Sequence, residues 1–131
     1  RCDAVEAKGG DVATLLLGLL DASYGEMQAL YGQSDFLVEL GATRATVGGD
    51  IAQAADERLV ARLTGVIERA AARGDINLAA SGLTLPDLIA TLLQAAAGAK
   101  QEAGRPVPIE TYRARLGRIV ALTAAALRPG P

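Results

Sequence analysis

Roughly the last fifty residues constrain the fold most, because they read as two consecutive helices with more apolar surface than one core needs. The pattern predicts helices over 85–99 and 109–128, joined by a short polar loop. Thr84, Pro86 and Asp87 supply a cap, a first-turn proline and a first-turn acid for the earlier helix. A helix with a second apolar face needs a second partner. The pattern therefore predicts a dimerising all-helical domain.

The same periodicity predicts more helices upstream. They cover 1–8, 11–31, 35–46 and 50–73. Asp11 is expected to cap the second helix, Asp50 with Gln53 resembles a capping box, and Gly74 ends the fourth. The helix over 11–31 is apolar almost all round, which places it at the centre of the domain. No strand is expected. The prediction is one all-α domain over residues 1–131, with five or six helices.

Composition narrows the class of protein further. Half of the residues are hydrophobic but only 3 % are aromatic, so the core must consist of Leu, Ile, Val and Ala. A net charge of −2 argues against a nucleic-acid surface within this chain. The single cysteine, Cys2, excludes an intrachain disulfide and favours a reducing, cytoplasmic location. The longest apolar run, 15–20, is too short to span a membrane.

Catalysis has little support in the sequence. The chain has no histidine, which removes the commonest general base and metal ligand. Cys2 has no base partner for nucleophilic chemistry, and no phosphate-binding loop is present. We therefore predict no enzyme activity, no cofactor and no metal. A small metal-free helical enzyme that uses Arg44, Arg62 and Gln94 remains the third interpretation.

Three segments of these helices form a recognisable set. They are the helix end IERAAARGDI at 67–76, the segment LPDLIATLLQAAAG at 85–98, and a final helix with Tyr112 near its start and arginines along it. Together with the order and lengths of the helices, they resemble the C-terminal regulatory domain of TetR-family transcriptional repressors. The family's N-terminal helix-turn-helix does not occur here. The resemblance implies that 1–8 is the end of the helix that links the sensor to a missing DNA-binding domain. It also implies that DNA would be bound only through that missing domain.

The resemblance also implies a ligand pocket among the middle helices. Such pockets are mostly apolar with a few polar anchors, which favours a small apolar or aromatic effector. The candidate lining residues are Leu20, Tyr24, Met27, Gln28, Tyr31, Phe36, Leu40, Arg62, Val66 and Gln94. For the aromatic residues and Met27, plain core packing is the alternative. Arg62 is either a solvated, ion-paired residue or an anchor for an anionic ligand.

Nine residues on the last two helices are candidates for a homodimer interface, which the family builds as a four-helix bundle. They are Leu88, Leu92, Ala95, Ala99, Leu116, Ile119, Val120, Thr123 and Leu127. Intrachain core is the alternative for each. The function expected is that of a small-molecule-sensing, dimerising domain of a repressor. The second interpretation is a helical dimeric protein-interaction module without a small ligand.

Overall fold

The computed structural model describes residues 1–25, 28–29 and 49–130 and, for 49–55, the backbone alone. We label the helices of this part α1 to α5. They are α1 (Cys2–Lys8), α2 (Val12–Leu20), α3 (Gly49–Ala72), α4 (Leu85–Gly98) and α5 (Ile109–Ala126). A π-helical turn, Asp21–Gly25, follows α2, and a short 3₁₀ turn, Leu78–Ser81, precedes α4. The predicted all-α class is confirmed.

Local capping signals explain where two of the helices begin. The carboxylate of Asp11 accepts a 2.8 Å hydrogen bond from the Thr14 amide at the start of α2. The Thr84 hydroxyl accepts a 3.2 Å bond from the Asp87 amide at the start of α4. Both bonds satisfy amides that have no partner within the helix, and both caps were predicted. By contrast, α3 already includes Gly49, so the predicted cap residue Asp50 lies inside the helix.

The helix predicted over 11–31 does not continue as a regular α-helix. Its α-helical part ends at Leu20 and gives way to the π-helical turn. The turn is stabilised from outside the segment, because Arg113 of α5 donates a 2.9 Å hydrogen bond to the Asp21 carboxylate. Residues 28–29 are again helical. The remainder of this predicted helix, and the short helix predicted over 35–46, lie outside the described residues.

A short hairpin replaces the strand-free loop expected between the last two helices. Strands β1 (Gln101–Glu102) and β2 (Arg105–Pro106) pair antiparallel. The two residues between them have positive φ angles, 51° at Ala103 and 77° at Gly104. This conformation matches the twist of a two-residue hairpin turn. The hairpin connects α4 to α5.

Helix α2 lies at the centre of the fold and packs against α1, α3 and α5. Its residues Leu16, Leu19 and Leu20 are fully buried, as predicted for a central helix. Helices α3, α4 and α5 contribute aliphatic stripes and one tyrosine. These residues are Leu59, Leu63, Val66, Ile67 and Ala70 of α3, Leu88, Ile89, Leu92 and Ala96 of α4, and Tyr112, Leu116 and Val120 of α5. Among the described helices, none has the length and hydropathy needed to cross a membrane.

Candidate functional site

The described candidates for a ligand pocket occupy different environments. Leu20 and Val66 belong to the core. Tyr24 is partly buried on the π-helical turn, whereas Gln94 is exposed on α4. Met27, Tyr31, Phe36 and Leu40 lie outside the described residues. In the part of the chain that the structure describes, the predicted lining residues therefore lie in separate places: Tyr24 and Gln28 meet at Lys100, whereas Arg62 and Val66 each line a different cleft.

The first of these places joins Tyr24 and Gln28 to the segment after α4. The Lys100 ammonium lies 4.2 Å from the centre of the Tyr24 ring, a cation–π contact. The Tyr24 hydroxyl donates a 3.3 Å hydrogen bond to Asp56 of α3. Burial, with the nearby Asp56 charge, raises the pKa of Tyr24 to about 12. Burial lowers the pKa of Lys100, while Asp56 opposes that change.

Gln28 is the one buried polar residue of the described core, with 5 % of its surface exposed. Its side-chain amide donates 2.8 Å hydrogen bonds to the carbonyls of Lys100 and Val107, which lie on either side of the hairpin. A buried amide that satisfies two backbone carbonyls stabilises their positions. The geometry thus gives Gln28 a structural task at the base of the hairpin.

The second place is an open cleft beside Arg62. The cleft, of about 360 Å³, lies between the start of α1, the π-helical turn and α3. Its lining residues are Arg1, Cys2, Asp3, Ala22, Ser23, Arg58, Leu59 and Arg62. The Cys2 and Ser23 side chains meet across the cleft, with 3.6 Å between Sγ and Oγ. Three guanidinium groups and one carboxylate give this lining a positive balance.

Arg62 links α3 to α1 through two carboxylates. Its Nη2 lies 2.7 Å from Asp3 and its Nη1 lies 2.9 Å from Glu6. Asp3 and Glu6 are one helical turn apart, so their side chains share a face of α1. The hydrogen bond from Arg62, reinforced by its charge, lowers the pKa of Asp3. The same bond raises the pKa of Arg62 against a smaller effect of desolvation. Arg62 is thus ion-paired, one of the two roles considered for it.

A second open cleft, of about 380 Å³, lies at the other end of α1. Its lining includes Glu6, Gly10, Leu15, Val66 and Arg69. Arg73 and Asp75 also line it and form a 2.9 Å ion pair with each other. Val66 reaches this cleft with only 2 % of its surface exposed. The two clefts flank α1, and both use residues of α3.

Six of the nine candidate dimer residues are buried in the core of the single chain. They are Leu88, Leu92, Ala99, Leu116, Val120 and Leu127. Ile119 and Thr123 are partly buried, and Ala95 is exposed. Leu122, which the sequence pattern did not single out, exposes 75 % of its surface on α5. The single chain therefore already buries most of the predicted interface. On α4 and α5, exposed side chains such as Ala95 and Leu122 are the ones that a second subunit would contact.

Sequence reasoning missed most of the cleft beside Arg62. Asp3, Ser23 and Arg58 of its lining, and Glu6, the second partner of Arg62, were not predicted as site residues. The spacing of Asp3 and Glu6 was a usable signal, because two acids at i and i+3 present a double acceptor for a guanidinium. Within the described residues, no group of three or more side chains of the metal-ligating types comes together. Comparisons with protein-family models, curated proteins and solved structures find no match for this chain.

Proposed function

We propose that this chain is the small-molecule-sensing and dimerising domain of a TetR-like transcriptional repressor that acts in the cytoplasm. One observation carries the proposal: Arg62 of α3 forms ion pairs with Asp3 and Glu6 of α1, directly beside an open cleft. In repressors of this class the equivalent of α1 leads to the DNA-binding helices. Occupancy of the cleft can therefore bias the position of the helix that would transmit the signal.

The mechanism is a shift of population between two positions of α1. A ligand changes that equilibrium only by binding one position better than the other. Helix-turn-helix dimers require a fixed spacing between half-sites on DNA, about one helical turn. A displacement of α1 in each subunit would change the spacing of the DNA-binding domains that precede residue 1 in the proposed full-length protein. The expected effector is a small molecule with an apolar or aromatic body.

Dimerisation in this proposal uses the outer faces of α4 and α5 from each subunit. Ala95 of α4 and Leu122 of α5 are exposed there, with Ile119 and Thr123 partly exposed beside them. Small side chains allow close approach of two helices, and a two-fold interface needs only a self-complementary patch. These features favour a homodimer arranged as a four-helix bundle.

The proposal is tested on the complete gene product and on the 131-residue chain in parallel. Both are titrated against DNA from the region upstream of the gene in a gel-shift assay. We expect the complete product to bind as a dimer and the 131-residue chain to remain unbound, because its net charge is −2. A complete product that lacks a helix-turn-helix, or that binds no DNA at any salt concentration, contradicts the proposal.

A dimeric protein-interaction module is the second candidate, and the exposure of Leu122 favours it. A large apolar side chain that is 75 % exposed on a helix is a typical anchor for a partner helix. The DNA assay separates the two candidates. An interaction module would dimerise or bind a helix through α5 without any DNA-binding activity in the complete product.

A further inference from the structure

We propose that the cleft beside α1 binds a small organic carboxylate, and that the ligand competes with Asp3 for Arg62. The inference depends on the proposed function only for its regulatory consequence; binding itself is a property of the cleft. Although the whole chain carries a net charge of −2, the lining of this cleft contains the guanidinium groups of Arg1, Arg58 and Arg62 and one carboxylate, that of Asp3. Glu6, which lies outside the lining, also pairs with Arg62 and offsets part of this positive charge. An anion is the ligand that such a balance of charge attracts.

Arg58 is the group that such an anion would meet first. It is exposed and, in the described part of the chain, forms no ion pair. It lies one helical turn before Arg62 on α3, so both side chains project along the same face. The planar guanidinium matches a planar carboxylate through two parallel hydrogen bonds. The Ser23 hydroxyl on the opposite wall adds a neutral donor.

The size and apolar surface of the cleft restrict the rest of the ligand. A volume of about 360 Å³ is at the lower end of the range for small-molecule sites. Leu59 and Ala22 provide apolar wall beside the arginines. A single aromatic ring with one carboxylate therefore fits the lining better than a highly charged anion, whose whole surface requires polar partners.

The two ion pairs of Arg62 differ in how easily a ligand could replace them. The Asp3 side chain is 89 % exposed, whereas that of Glu6 is 31 % exposed. Exposed ion pairs contribute little, because water and salt compete for both partners. A ligand carboxylate can thus take the place of Asp3 at Nη2 while Glu6 stays on Nη1. Binding would then release the first turn of α1 from α3, which is the regulatory consequence.

The test measures binding of benzoate to the 131-residue chain by isothermal titration calorimetry, with neutral benzamide as the matched ligand. We expect one benzoate site per chain within about ten millimolar ligand, the range for a molecule of this size. Benzamide should bind at least about tenfold more weakly, since it lacks the charge that the guanidinium groups recognise. Added salt should weaken benzoate binding, because the site is open to solvent.

Three variants locate the site. Arg58→Gln should weaken benzoate binding about fivefold or more, whereas Arg118→Gln, an equal charge change on the exposed side of α5, should leave it unchanged. Asp3→Asn should tighten binding about two- to fivefold, because it removes the competing carboxylate. On saturation, amide NMR signals of residues 2–6 should move in the wild type.

The proposal is overturned by absence of saturable benzoate binding, by equal affinity for benzamide, or by equal effects of the Arg58 and Arg118 variants. It is also overturned if Asp3→Asn binds benzoate no more tightly than the wild type. These outcomes are independent of the DNA assay. Benzoate binding with the expected variant effects, in a gene product that binds no DNA, would retain the carboxylate site and reject the repressor function.

Discussion

The Gln28 side chain reaches across 72 positions of sequence to donate a 2.8 Å hydrogen bond to the Lys100 carbonyl. The same amide nitrogen donates to the Val107 carbonyl at 2.8 Å, and the Val107 amide donates back to the Lys100 carbonyl at 2.9 Å. The base of the hairpin is therefore closed by one side chain from a segment that is distant in sequence. Without Gln28, the Lys100 carbonyl keeps the Val107 amide as a donor, whereas the Val107 carbonyl loses its side-chain donor.

Replacing Gln28 with Met should destabilise the fold by about 2 kcal/mol, since a buried carbonyl left without a donor costs on the order of 1–3 kcal/mol. Met has a similar length, so the change removes hydrogen bonds with little change in volume. Gln94→Met is the matched control, because Gln94 is exposed on α4 and its change should stay within about 0.5 kcal/mol. Urea unfolding followed by far-UV circular dichroism measures both, and equal stabilities of the two variants would contradict the role given to Gln28.

The close approach of α1 to α2 depends on Gly18. A Cβ at this position would lie 2.7 Å from Cγ1 of Val5, too close for any real pair of carbon atoms. A Cβ on Gly117, inside α5, would meet nothing within 4 Å. The same substitution at the two glycines therefore separates intrinsic helix propensity from packing.

We expect Gly117→Ala to stabilise the chain by about 0.5–1 kcal/mol, the usual gain in a helix interior. Gly18→Ala should lose that gain and destabilise the fold, because α1 must move away from α2. Adding Val5→Ala should recover much of the loss by creating space for the new methyl group. Thermal unfolding of the three variants checks this series. A Gly18→Ala protein as stable as Gly117→Ala would show that the structure accommodates the added methyl group without loss of stability.

The elements that could be predicted from the sequence are those with local causes. Asp11 and Thr84 bond to amides three residues away, and the stripe of α3 repeats every three or four residues, so a short window contains the whole signal. The hairpin has a weaker signal. Ala103 and Gly104 adopt a turn for which Asn-Gly is the favoured pair, and the strands have two residues each.

The candidate site was harder to predict because its contacts join distant segments. Arg62 meets Asp3 and Glu6 from 59 and 56 positions away, and nothing in the sequence around Arg62 identifies those partners. Gln28 was predicted as a lining residue of the ligand pocket that the family resemblance implies. In the structure its side-chain amide donates to two backbone carbonyls. A polar residue in an apolar stripe indicates a buried hydrogen-bond partner, but not whether the partner is a ligand or the chain itself.

Stability should fall at high pH, and Tyr112 should account for part of that fall. Its hydroxyl donates a 3.1 Å hydrogen bond to the Ala96 carbonyl in the fully buried core. Burial, with smaller effects of Tyr24 and Asp21, raises the pKa of Tyr112 well above 10. The unfolded chain therefore loses this proton near pH 10 while the folded chain retains it, so stability decreases as the pH rises above 10.

Tyr112→Phe should be less stable than the wild type at pH 7 by about 1 kcal/mol, the value of one hydrogen bond. Its stability should decline less steeply between pH 9.5 and 11.5, a window that runs from about half a unit below to about one and a half units above the pKa of free tyrosine. Urea midpoints at several pH values test both statements. Parallel pH profiles for the two proteins would assign the alkaline loss to other groups.

Substitution of Leu122 distinguishes a monomer from the proposed dimer. Because 75 % of this side chain is exposed in the single chain, replacing it with Arg should leave the stability of the monomer nearly unchanged, within about 0.5 kcal/mol. In a dimer built on the outer faces of α4 and α5, the same change would bury an unpaired charge and weaken association at least about tenfold.

Leu83→Arg is the matched control, since Leu83 is also exposed, at 41 %, but precedes α4. Sedimentation velocity over a range of protein concentrations measures the mass of each form, with 13.4 kDa for the monomer. Two outcomes would contradict a dimer formed through the outer faces of α4 and α5. One is a wild type that remains a monomer at high concentration, and the other is a Leu122→Arg variant that dimerises as tightly as the wild type.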